Sequence, residues 1–234
     1  QAIRMKNLSK DGKLDMDIRA VSTVLSSSQS YSDVLGHNSR LDSVYFPSVI
    51  ELQYQQNPSD NGKLIAATSI GETGRPDNVD PSLGALLEST DGGQSWNVIF
   101  RPVETAMPWF WAGQMAHIYE LPAQVGDMPA GTIIYSANTV NYGDIDNGGT
   151  FKGYSHISVW RSLDAGKNWQ QYTVVRSVTD GGLRLGVWEP VMFYDNGYLY
   201  CFYSDDSYGT DTLTGLNYGP DQKLVYQRSI DGVN

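Results

Sequence analysis

An eight-residue pattern, Ser-x-Asp-x-Gly-x-x-Trp, occurs twice in the chain, as STDGGQSW at Ser89–Trp96 and SLDAGKNW at Ser162–Trp169. A shortened form, SIDGVN, runs from Ser229 to Asn234 and keeps Ser229, Asp231 and Gly232. The starts of the three copies lie 73 and 67 residues apart. A period of that size implies one supersecondary unit laid down repeatedly, so the fold is a repeat architecture before any other property is considered. The chemistry of the pattern is that of a hairpin. Serine closes one strand, and aspartate folds back onto the backbone N–H groups of the turn. Glycine takes the left-handed position, and tryptophan opens the next strand while covering the turn. Ser89, Asp91, Gly93 and Trp96, then Ser162, Asp164, Gly166 and Trp169, then Ser229 and Asp231, are therefore structural residues, and the three aspartates are set aside as catalytic candidates.

Each repeat carries the same succession of apolar runs. The first has SVIELQY from Ser48, KLIAATS from Lys63, GALLES from Gly84 and WNVIFR from Trp96. The second has QMAHIYEL from Gln114, GTIIYSAN from Gly131, HISVWRS from His156 and WQQYTVV from Trp169. The third has VMFY from Val191, GYLYCFYS from Gly197 and QKLVYQRS from Gln222, and a fourth run is absent. Fifteen tyrosines, six tryptophans and 24 glycines fit short strands with tight turns. Four-stranded antiparallel units with the clip between their third and fourth strands are β-propeller blades, which close in rings of about four to eight. The expectation is an all-β propeller part, with blades at residues 41–110, 111–180 and an incomplete 181–234, belonging to a larger ring. Residues 1–40 form an N-terminal extension with two possible roles, a strand completing the last blade or a segment packed outside it.

The formal net charge of −10 and the lack of any lysine or arginine run exclude a nucleic-acid partner. No stretch reaches the roughly 18 consecutive apolar residues of a membrane span. The single cysteine, Cys201, sits in an apolar run and reads as a small buried hydrophobe. His37, His117 and His156 have no ligand spacing, and DIDNGG at Asp144–Gly149 has Ser155 where a calcium loop needs a bidentate glutamate. No metal and no cofactor is expected.

The complete boxes at Ser89 and Ser162 are similar to the Asp-boxes of the sialidase-like propeller superfamily. Sialidases grip their substrate's carboxylate with an arginine just before the proline of the first blade; VYFPS has Tyr45 there, and a phenol does not replace a bidentate guanidinium. YFPSVIEL from Tyr45 and WEPVMFYDNGYLYCFYSDD from Trp188 more closely resemble the exo-acting α-L-arabinanases of glycoside hydrolase family 93, six-bladed propellers of the same superfamily. That resemblance implies that Glu189 is one of two catalytic carboxylates, with the second downstream of Asn234.

Propeller geometry supplies a separate reason to single out Glu189. Residues ahead of each innermost strand meet at one mouth of the central channel: Tyr45 and Phe46, Trp111 and Gln114, Trp188 and Glu189. The three longest loops, from Ile70, Thr139 and Asp205, emerge on the same face and are rich in Gly, Asp, Asn and Tyr, which suit a polyol. Glu189 either pairs with Arg184 or is catalytic, and burial against Trp188 would favour its protonated form. The expectation is a secreted glycoside hydrolase removing units from the end of an α-L-arabinan or a similar polysaccharide by a retaining two-carboxylate mechanism. Tyr45, Phe46, Gln114 and Trp188 would shape its subsites. A non-catalytic carbohydrate-binding propeller and, further off, a sialidase are the alternatives.

Overall fold

The computed structural model describes residues 30–32, 38–73, 84–103, 111–141, 153–180, 186–205, 207 and 222–233. These form three antiparallel sheets in which every strand lies beside its neighbour in sequence. Blade 1 holds β1 (Ser30–Ser32), β2 (Asn38–Glu51), β3 (Leu64–Thr73), β4 (Gly84–Ser89) and β5 (Asn97–Phe100). Blade 2 holds β6 (Trp111–Glu120), β7 (Ile133–Asn141), β8 (Gly153–Ser162) and β9 (Gln170–Asp180). Blade 3 holds β10 (Val187–Asp195), β11 (Tyr198–Asp205) and β12 (Lys223–Ser229). The propeller-blade architecture expected from the repeat is present. Its short β1 pairs with the beginning of β2, Ser30 opposite Arg40.

The sequence pattern explains the stacking. Along β11 the residues alternate: Leu199, Cys201 and Tyr203 are buried toward blade 2, while Tyr198, Tyr200 and Phe202 stand on the other face. This is the period of two that strand geometry imposes. In β7 the alternation disappears, because both faces are covered and every residue from Ile133 to Val140 is buried. Leu52, Ile65, Leu86, Ile118, Ile133 and Trp160 belong to the core between blades 1 and 2. Ile134, Ile157, Val159, Val187, Met192 and Leu199 belong to the core between blades 2 and 3.

The clips close the blades at the end away from the starts of β6 and β10. In the first, Asp91 Oδ1 accepts from Gln94 N and Ser95 N, both at 2.9 Å, and Ser89 Oγ accepts from Gly93 N at 2.9 Å. Trp96 donates its indole N–H to Gly93 O at 3.2 Å. The second repeats this with Asn168 N on Asp164, Gly166 N on Ser162 Oγ, and Trp169 on Gly166 O. The third retains Gly232 N on Ser229 Oγ and Val233 N on Asp231. The Ser95 hydroxyl and amide, with Ser89, hold the Asp91 carboxyl well below the usual carboxylate range. Gly93, Gly166 and Gly232 all have φ between 84° and 88°, where a Cβ is disfavoured.

Candidate active site

The innermost strands share one irregularity. In β2 the register slips between Tyr45, opposite Ser69, and Ser48, opposite Ala67. In β6 it slips between Gln114, opposite Asn138, and His117, opposite Ser136. In β10 it slips between Trp188, opposite Ser204, and Val191, opposite Phe202. Each is a bulge that sets two residues against one, a device for re-aiming a side chain. The first bulged residue is left-handed every time: Phe46 at φ 55°, Met115 at φ 51° and Glu189 at φ 56°. No glycine relieves these positions, and left-handed backbone at a non-glycine residue is stored strain of a kind that gathers at functional sites. Pro47 and Pro190 follow two of the three, where a bulge spares them the need for a ladder donor.

Tyr45, Gln114 and Trp188 therefore occupy one structural position, and Phe46, Met115 and Glu189 the next. The predicted site residues fall into a single repeated pair. They lie within the inner strands rather than ahead of them. β2 begins at Asn38, not Ser48, because pairing resumes beyond a bulge that interrupts the alternation used to read the strand's start. Met115, not Trp111, is the partner of Gln114 in the repeat, and its thioether carries no chemistry comparable to the carboxylate.

Glu189 is exposed, which corrects the expectation that it is buried against Trp188. The half-buried Trp188 indole folds back over Gly186 instead: a Cβ on Gly186 would fall 2.6 Å from Trp188 Cζ2. The Glu189 carboxylate accepts a long hydrogen bond, 3.4 Å, from Ser204 Oγ on the adjoining strand. Phe46 is also exposed, at 43%.

Behind the bulges, β3 grips β6 and β7 grips β10. Ser69 Oγ donates to Gly113 O at 3.3 Å and accepts from Met115 N at 2.8 Å, bracketing Gln114. At the equivalent point in blade 2, the Asn138 amide donates to Val187 O and, at 2.9 Å, to Ser155 Oγ. Ser155 Oγ in turn accepts from Val187 N at 3.1 Å and donates to Val187 O at 3.1 Å. Past the bulge, Ser48 Oγ accepts from Ile118 N at 3.4 Å, and His117 Nδ1 accepts from Met192 N at 3.2 Å. Burial pushes the His117 imidazole below its ordinary pKa. Ser69, Asn138, Ser155 and His117 were not singled out as site residues in the sequence. The available signal was a polar residue at the same offset in β3, β7 and β11: Ser69 in AATS, Asn138 in YSAN, Ser204 in CFYS.

Most of the three long loops, the DIDNGG segment, His37 and Arg184 lie outside the described residues. His156 is buried with its Nδ1 2.6 Å from Ser177 Oγ. Cys201 is buried, and desolvation pushes its thiol up to about 12. Among the described residues no three His, Cys, Asp or Glu side chains gather as a metal site. No helix among them is long and apolar enough to cross a membrane.

No protein-family model and no curated protein sequence matches the chain. Solved structures do. The α-L-arabinofuranosidase Arb93A of Fusarium graminearum, in complex with an iminosugar inhibitor, superposes with a TM-score of 0.60 at 25% identity over 82% of this chain and 46% of its own. The family 93 arabinofuranosidase of the same organism bound to arabinobiose gives a TM-score of 0.61 at 24% identity, over 82% and 46%. The α-L-arabinanase of Penicillium chrysogenum, also with arabinobiose, gives 0.58 at 24%, over 82% and 47%. The chain thus spans about half the length of these structures, and its fold is similar to theirs.

Proposed function

We propose that this chain is the part of a secreted glycoside hydrolase propeller that carries one of its two catalytic carboxylates, Glu189, and that the enzyme acts from the ends of α-L-arabinan or a similar polysaccharide. On this reading residues 41–234 are the propeller part and residues 1–40 an extension, of which Ser30–Ser32 and Asn38–Arg40 pair with each other at the edge of blade 1. The observation that carries the proposal is the threefold bulge. One backbone device presents Phe46, Met115 and Glu189 in turn, and only the third is ionisable. It stands exposed on the innermost strand of a fold similar to those of an α-L-arabinofuranosidase and an α-L-arabinanase.

In a retaining mechanism a second carboxylate lies about 5 Å from the first. Blades 1 and 2 place a phenylalanine and a methionine at the equivalent bulge, so the second carboxylate comes from the remainder of the propeller in the full-length protein. Closure of that ring over Glu189 would supply the low-dielectric surroundings that blade 3 alone does not. Phe46 and Trp188 offer apolar faces to a sugar ring, and Gln114 offers an amide to its hydroxyls.

The test is release of reducing sugar from arabinan by the full-length protein and by its Glu189→Gln variant. Loss of the carboxylate lowers kcat roughly a thousandfold, within the range of positioned acid–base groups. Equal rates in the two proteins exclude Glu189 from the chemistry. Retained arabinan binding with no turnover by either protein supports instead a carbohydrate-binding propeller.

A further inference from the structure

We propose that Asn138 and Ser155 are positioning residues for Glu189, acting through the peptide of Val187; this rests on the role proposed above for that carboxylate. Asn138 is fully buried and Ser155 is 2% exposed, so neither competes with water for its partners. Between them they take up both main-chain polar groups of Val187. The Ser155 hydroxyl has one proton and two lone pairs, and all are used: it donates to Val187 O and accepts from Val187 N and from Asn138 Nδ2. Asn138 Nδ2 also reaches Val187 O directly. The residue two places before Glu189 is thereby fixed in position by β7 and β8 of the preceding blade.

The clamp explains how a strained bulge is held. Left-handed Glu189 gains nothing from its own local conformation, so its surroundings must over-determine it. On one side the chain is registered by the pairs Val191–Phe202 and Met192–Cys201. On the other side only two pairs, Val187–Asp205 and Trp188–Ser204, precede the bulge. That short stub is what Asn138 and Ser155 secure. Blade 1 applies the same solution one blade earlier, with Ser69 at the position of Asn138, and there the bulged residue is Met115. The grip belongs to the fold, and blade 3 places a carboxylate in it.

The test compares wild type, Glu189→Gln, Ser155→Ala, Asn138→Leu and Asn138→Ser in the full-length protein, with arabinan as substrate. Ser155→Ala removes one hydroxyl and is the variant expected to fold. Asn138→Leu keeps the shape without the donors, and Asn138→Ser is the conservative variant, since serine fills the slot in blade 1. With Glu189→Gln inactive, the clamp predicts that Ser155→Ala lowers kcat ten- to a hundredfold with KM within twofold. It also predicts a displaced limb in the kcat–pH profile, and that Asn138→Ser recovers at least tenfold of the activity lost in Asn138→Leu. Folded Ser155→Ala with the wild-type kcat and pH profile overturns the clamp and leaves Glu189 in place. Wild-type activity in Glu189→Gln overturns the role of Glu189 and the clamp with it. Should Asn138→Leu not fold, Ser155→Ala alone decides.

Discussion

The seam between blades 1 and 2 and the seam between blades 2 and 3 fill the same slots with different chemistry. At the first, the slots hold Ser48 and Ser69, two hydroxyls, and beside them two backbones nearly touch: an ideal Cβ on Gly113 would lie 2.6 Å from Gly84 Cα. At the second, the slots hold His117 and Asn138, and Val187 stands where Gly113 stood. Short side chains serve where main chains approach, and longer ones reach across where they do not. Repetition therefore fixes where a blade must grip its successor and leaves open what does the gripping. The same separation of backbone from side chain lets one of three equal bulges carry a carboxylate.

The sharpest way to break this comparison is to force a side chain into the close seam. Gly113 has φ +95°, and its missing Cβ would also meet Gly84 N at 2.6 Å. Alanine there combines left-handed strain with a clash against backbone that has no flexible end, and should destabilise the fold by about 3 kcal/mol in urea unfolding. Gly186→Ala in the wider seam meets the Trp188 indole at 2.6 Å and Ser155 Oγ at 2.9 Å, both side chains. The half-buried indole can shift while Ser155 is held by its three hydrogen bonds, so about 2 kcal/mol is expected, with a shift in Trp188 fluorescence. Equal losses in the two variants would remove the distinction between a seam of backbones and a seam of side chains.

Glu120 marks a further asymmetry. Its carboxylate, on a residue 7% exposed, accepts from Gln53 N at 2.7 Å, Tyr54 N at 3.0 Å and Gln55 Nε2 at 2.6 Å. It ties the outgoing end of β2 to blade 2. Glu120→Ala leaves those main-chain donors without their partner and should cost about 2 kcal/mol, measured the same way. At the second seam Tyr194 stands in the position of Glu120, and there its backbone N–H donates across the seam to Tyr119 Oη at 3.1 Å. Tyr119→Phe should cost about 1 kcal/mol.

The blades were legible in the sequence because their signals are local. The serine, aspartate, glycine and tryptophan of the two complete clips lie within eight residues and bond to one another, and the apolar runs between the clips each overlap a strand. Glu189 was legible as a charge between Trp188 and Pro190. The bulge was not, since a register slip depends on pairing with a strand some fifteen residues on, Ser204 in the case of Trp188. The grips were less legible still: Asn138 meets Val187 across 49 residues and His117 meets Met192 across 75. A polar residue in an apolar strand shows that a partner exists, but its position along the chain gives no hint of which partner.

The smallest expected effect is the one that separates the two seams by pH. His117 accepts at Nδ1 from Met192 N, so its imidazole is neutral with the proton on Nε2, and burial holds it neutral below its ordinary pKa. The unfolded chain has no such constraint and takes up a proton near pH 6.5. Stability from this contact is complete above that pH and is lost as pH falls toward the lower pKa of the folded state, because there the unfolded chain binds more protons. Ser48, in the equivalent slot of the first seam, accepts from Ile118 N and does not titrate. His117→Ser should therefore lower stability by about 0.5 kcal/mol at pH 8 through a poorer fit, while flattening the dependence below pH 6.5. Ser48→Ala should lower stability by a similar or smaller amount at every pH. Urea unfolding of the three proteins between pH 5 and 8 distinguishes the cases, and an unchanged slope in His117→Ser would place the acid sensitivity of the second seam elsewhere.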